Sequence, residues 1–229
     1  MTATVKLIHI LRGENSVEAS LSPDLREHLA QIGVQRLQVN VDDAEVAPAQ
    51  LRFKADERPI RSVVTTWTHG DPDALTQVLR AIDADVVGWR VEDRVPLNPP
   101  NCGDGQRADA YAQVVLLGKP EGRSHAEWLD RWINSHTAVA IETQSTFGYI
   151  QNVVVERLTG KGSSVDAVVE ELFPMEAMTD WHVFYDTGGD QAELERRMER
   201  MKQSVDYFGA RSDMEVVPTS RYVFDLSNT

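Results

Sequence analysis

Two tryptophans and a histidine, Trp128, Trp132 and His136, recur at steps of four in the segment SHAEWLDRWINSHTAVAIETQ. In an α-helix that spacing sets them on one stripe. An aromatic stripe ending in an ionisable ring suits one wall of a small-molecule pocket. The next segment, STFGYIQNVVVERL, carries Tyr149, Gln151 and Asn152 close together. On a strand, Tyr149 and Gln151 share one face and Asn152 takes the other. A Tyr hydroxyl and a Gln amide can hold a developing oxyanion. An unperturbed imidazole changes charge near neutrality, so His136 is suited to moving a proton. His182 and Asp186 share a face if DWHVFYDT is a strand, and a histidine with a carboxylate suits acid/base elimination. Each residue also has a plainer use, in core packing, capping or a satisfied polar network.

Other chemistries lack their motifs. The chain has no HExxH and no CxxC, so neither a tight metal site nor a cofactor is expected. Gly160–Lys161–Gly162 is too short for a phosphate loop, and no GxSxG elbow is present. Cys102 is the single cysteine, which excludes an internal disulfide and fits a reducing cytoplasm.

Composition narrows the partners. With 41% apolar and 26% charged residues, the chain of 229 can bury a substantial core. Runs such as VVLL and AVAI are too short to span a bilayer, and the opening MTATVKLIHILRGE reads as a strand rather than a leader. A net charge of −13 argues against nucleic acid and against an anionic membrane surface. The expected partner is a small molecule.

The elements that must position these residues follow one pattern twice. In the first half, VKLIHIL, VQRLQVNV, IRSVVTTWT and DVVGWRVEDRV predict strands. SPDLREHLAQI and DPDALTQVLRAI predict helices with Ser or Asp caps and Pro at the first helical position. In the second half, AYAQVVLLG, TFGYIQNVVVERL, DWHVFYDT and EVVPTSRYVFDL predict strands, with VDAVVEELF as an edge extension or short helix. The aromatic helix runs from Ser124 to about Gln144, and DQAELERRMERMKQSVDYF is a long helix. Each half is then β-α-β-β-α-β, joined by the Pro- and Gly-containing VPLNPPNCGDGQRAD. The fold class is α+β: two tandem ferredoxin-like units, residues 1–97 and 110–229 around a linker at 98–109. A pseudo-dimeric α/β barrel would bury the apolar sheet face of each. Further pairing into a homodimer through exposed strand edges stays open.

The second half resembles the EthD family (named for ethyl tert-butyl ether degradation) of the dimeric α/β-barrel superfamily. GRSHAEWLDRWINSH is similar to its Ser-His-x-x-Phe-x-x-Tyr-Trp-x-x-x-His stretch, GYIQNVV to its Tyr-x-Gln-Asn strand, and SVDAVVEELF to its Asp-Gly-φ-φ-Glu segment, φ being apolar. The resemblance covers about Tyr111 to Asp225. The chain departs from the family at Thr137 and Ala138, where a Pro usually follows the histidine, and at Ala167, where Gly is usual. The resemblance implies a place in catabolism of ethers, aromatics or polyketides. The expectation that follows is a cofactor-independent lyase, dehydratase or isomerase acting on a small apolar, aromatic or oxygenated metabolite. His136, Tyr149 and His182 would be catalytic, and Trp128, Trp132, Gln151 and Asn152 would bind substrate. The alternative is a non-catalytic accessory protein that binds a hydrophobic intermediate for a partner oxygenase.

Overall fold

The computed structural model describes residues 4–54, 56–162, 164–210 and 213–227. The first three residues of the opening segment therefore lie outside the described residues. Strands form where β-branched and apolar residues cluster: β1 Val5–Leu11, β2 Val34–Val41, β3 Ser62–Thr68, β4 Val87–Leu97, β5 Tyr111–Leu117, β6 Gly148–Thr159, β7 Ala167–Phe173 and β8 Glu215–Asp225. They close into an antiparallel barrel in the order β1-β3-β2-β8-β5-β7-β6-β4. Each half contributes four adjacent strands in the same relative order, and the joins are β2 with β8 and β4 with β6. Closure leaves no unpaired edge among the described strands, so edge-to-edge pairing with a second copy has nothing to pair with.

Helices cover the outside. In the first half these are α1 Ser16–Ser20, α2 Pro23–Gln31 and α3 Pro72–Arg80. Ser22 and Asp71 cap the last two, accepting from the amides of Leu25 and Asp73, with Pro following each cap. Leu25, Leu29, Leu75 and Leu79 pack on Leu7, Leu37, Val39 and Val64 of the sheet. In the second half, α4 His125–Arg131, a π-helical turn Trp132–His136 and α5 Thr137–Thr143 form one continuous helix, followed later by α6 Trp181–Phe184 and α7 Gln191–Phe208. Asp190 caps α7, and Gly209, at φ 75°, ends it in the left-handed conformation that glycine adopts at little cost.

Alternation divides each strand between two cores. Ile8, Ile10, Val63, Trp89 and Val91 meet Val114, Leu116, Val168 and Val217 inside the barrel. Full burial of each such aliphatic contributes about 1.5–3 kcal/mol. The alternate residues face the helices.

Two sequence expectations are corrected. DWHVFYDT is not a strand: Asp180 accepts from the amides of His182 and Val183 and starts the short helix α6. VDAVVEELF is not an edge extension or short helix but contributes strand β7, paired with β5 on one side and β6 on the other. A run of apolar and β-branched residues fits a strand buried on both faces better than the mixed polar segment does.

Candidate functional site

The continuous helix α4–α5 and helix α7 lie over the outer face of β5, β6 and β7. Between them and the sheet is a cleft of about 210 Å³. Trp132, His136, Tyr149, Glu171 and Phe208 line it, and Leu51 and Phe53 reach in from the first half. The amide of Phe53 donates to the Val216 carbonyl at 3.0 Å, and that of Val216 donates to the Phe53 carbonyl at 3.0 Å. The first half thereby closes one side of a site built by the second. An apolar cavity of about 150 Å³ suffices to hold benzene, so the space suits a small aromatic molecule.

Ser124 starts the helix by accepting from the Glu127 amide at 3.2 Å. Trp128 and Trp132 are fully buried and stacked, with ring centroids 5.4 Å apart. The helix then widens by one residue: the Thr137 amide donates to the Trp132 carbonyl, five residues back. Such π-turns are frequent at functional sites. The turn alters the stripe that steps of four imply. His136 lines the cleft but also turns toward α7, its Nδ1 2.9 Å from Ser204 Oγ and its ring 4.6 Å from that of Phe208. Burial pushes its pKa down to about 4, so the imidazole is neutral at neutral pH.

Tyr149 sits at the floor, almost fully buried. Gln151 Nε2 donates to its hydroxyl at 3.5 Å and to Thr137 Oγ1 at 2.9 Å, while Thr137 Oγ1 donates to the Trp132 carbonyl at 3.2 Å. The strand is thus tied to the π-turn. Opposite Tyr149, in register on β7, stands Glu171, and opposite Glu171 on β5 stands Gln113. Glu171 is buried, and its Oε1 has no hydrogen-bond partner among the described residues. Desolvation raises its pKa from 4.5 to about 7. Burial first, and then the Glu171 charge, hold the hydroxyls of Tyr111, Tyr149 and Tyr185 above the ordinary phenol value.

The cleft gathers some of the residues expected from sequence and leaves others out. Trp132, His136 and Tyr149 line it. Trp128 stands behind Trp132, and Gln151 behind Tyr149. Asn152 points into the barrel, where Nδ2 donates to the Val168 carbonyl at 2.9 Å. His182 is outside the cleft on α6, with Nδ1 2.7 Å from Thr187 Oγ1, so it does not join His136. Glu171 was missed. The signal was present in VVEELF, two adjacent glutamates inside an apolar strand, where alternation must bury both, one on each face. Among the described residues no group of three or more His, Cys, Asp or Glu side chains is placed to hold a metal ion.

No family model matches the chain, and no curated protein does. Solved structures do match. One described as an anthrone oxidase-like protein superposes with a TM-score of 0.53 at 8% identity, covering 97% of this chain and 93% of its own. A candidate monooxygenase from Lactobacillus acidophilus superposes at 0.49 with 9% identity, covering 98% and 97%. Another from Fusobacterium nucleatum superposes at 0.49 with 9% identity, covering 98% and 95%. The lyase, dehydratase or isomerase expectation is corrected by the first of these, whose name is that of an oxidase-like protein. At such identity the likeness is one of fold, and function rests on the site. No described helix is long and apolar enough to cross a membrane.

Proposed function

We propose that the chain is an oxidase or monooxygenase of a small aromatic carbon acid, such as an anthrone-like aryl ketone, with dioxygen as the oxidant. The observation that carries this reading is Glu171: a buried carboxyl with a pKa near 7, in an aromatic-walled cleft, opposite a buried tyrosine. A carboxylate poised near the working pH is suited to take a proton from carbon. Its removal leaves a delocalised carbanion. The carbanion gives electrons to dioxygen and a C–O bond forms. The peroxide takes a proton back, then loses water to leave a carbonyl. In balance, one methylene group and one dioxygen become one carbonyl group and one water. Tyr149 would donate to the enolate oxygen, with Gln151 holding its hydroxyl. His136, neutral and hydrogen-bonded to Ser204, would orient substrate, and Trp132 would pack against its ring.

The identical strand order of the two halves supports reading the barrel as two ferredoxin-like units, residues 1–97 and 110–229, around a linker. Under that reading the first half supplies the wall at Leu51 and Phe53 rather than a second site.

The test is oxygen uptake with anthrone as probe, in the wild type and in Glu171→Gln. A general base contributes about 10²–10⁴-fold, so uptake should fall by that factor. Unchanged uptake in the variant sinks the proposal, as does failure of anthrone and related aryl ketones to consume oxygen with the wild type.

A further inference from the structure

The barrel interior is apolar around Ile8, Ile10, Val114 and Leu116 and polar toward the other end. There, Lys6, Trp67 and Arg36 lie in register across β1, β3 and β2. The Lys6 ammonium is 4.9 Å and the Arg36 guanidinium 4.6 Å from the Trp67 ring. Arg221 comes from β8, opposite Asn40. These three cations line a second cleft, of about 300 Å³, with Asp93 as the carboxylate in its wall. Residues 98–102 border it, and Ile150 and Val223 give it apolar surface.

Even with Glu170 behind them, three cations against two carboxylates leave a local positive excess in a chain of net charge −13. Lys6 is paired with Asp93 at 3.0 Å. Glu170, deeper in the barrel, accepts from Gln38 at 2.9 Å and from Asn40 at 2.8 Å, and lies 3.2 Å from Arg221 Nε. Arg221 is only 3% exposed, yet Nε finds no hydrogen-bond geometry with any described partner, while Nη2 donates to Gln38 Oε1 at 3.0 Å. A buried guanidinium with donors left over is costly unless an acceptor arrives. Arg36 brings a further positive charge at the mouth.

We propose that this end of the barrel binds a small organic carboxylate with an apolar body. The carboxylate would receive donors from Arg221 and Arg36 in the forked geometry that guanidinium groups favour. The body would lie on Ile150, Val223 and the edge of Trp67. This site is on the opposite face of the sheet from the Glu171 cleft, so the two stand or fall separately.

The experiment is NMR titration of the full chain with benzoate, benzamide and inorganic phosphate, following the indole N–H signals of Trp67 and Trp132. Benzoate should move Trp67, benzamide should not, and Arg36→Gln should weaken benzoate by about tenfold or more. Arg36 is exposed at the mouth, so the variant should fold; anthrone oxidation, if present, should be unchanged by it. The proposal is overturned if benzoate does not bind, if it moves Trp132 instead, if benzamide or phosphate binds as well, or if Arg36→Gln binds benzoate normally.

Discussion

Glu171 stands directly opposite Tyr149 across the β6–β7 ladder, both side chains turned to the cleft beneath α4–α5 and α7. Directly paired strand residues have Cβ atoms about 4.5–5.5 Å apart, close enough for the charge of one to be felt by the other. The Glu171 carboxylate accordingly raises the Tyr149 pKa, adding to the effect of burial. Ionising Glu171 should therefore switch the site on. Since its pKa is about 7, kcat/KM for a carbon acid should rise with pH and level off above that value. A pH–rate profile flat from pH 5 to 9 would remove Glu171 from the base role.

Stability should carry the same signature with opposite sign. Glu171 binds its proton more tightly when folded, so its contribution is fully present below about 4.5 and is lost as pH rises to about 7. The loss is of order 3 kcal/mol. Glu171→Gln should be more stable than the wild type at pH 8 and similar at pH 4.5, measured by urea unfolding.

His136 and His9 act the other way. Burial depresses both to about 4, so their contribution is present above about 6.5 and lost as pH falls toward 4. His9 is fully buried, with Nε2 3.2 Å from Thr76 Oγ1. With Glu171→Gln removing the opposing slope, stability should climb with pH from 4 to 6.5. An NMR titration giving His136 a pKa near 6.5 would contradict this account.

The two stacked tryptophans should separate by function. Trp128→Phe and Trp132→Phe both shrink a buried aromatic and should each cost about 1–3 kcal/mol. Trp132 lines the cleft and Trp128 does not, so KM for an aromatic substrate should change in Trp132→Phe alone.

Glu170 points the opposite way from Glu171, into the barrel, where it faces Arg221. Glu170→Ala leaves a buried guanidinium uncompensated and should cost about 3–5 kcal/mol. Pairing it with Arg221→Leu should recover part of that loss, read from urea unfolding midpoints.

Much of the fold was local enough to be written in the sequence. Ser22–Pro23 and Asp71–Pro72 announce helix starts because a cap and a fixed φ act within one turn. Alternating VQRLQVNV gives β2, and the aromatic segment gives the helix that carries Trp132 and His136. What lay beyond one turn or one strand was decided by packing. The π-turn at Trp132–His136 reorients His136 toward Ser204 and Phe208, contacts supplied by α7 nearly seventy residues later. His182 is displaced from the site because the segment that carries it is a helix, and β7 takes the place between β5 and β6. Glutamate is usually a surface charge, so the apolar run around Glu171 signals its burial but not which partners or cleft it meets. Closure of the barrel buries the inner face of β7 and sends Glu170 to Arg221, while α4–α5 and α7 cover the outer face and enclose Glu171 in the cleft. Burial is a property of the whole chain, and burial is what brings an ordinary carboxyl to a pKa near neutrality.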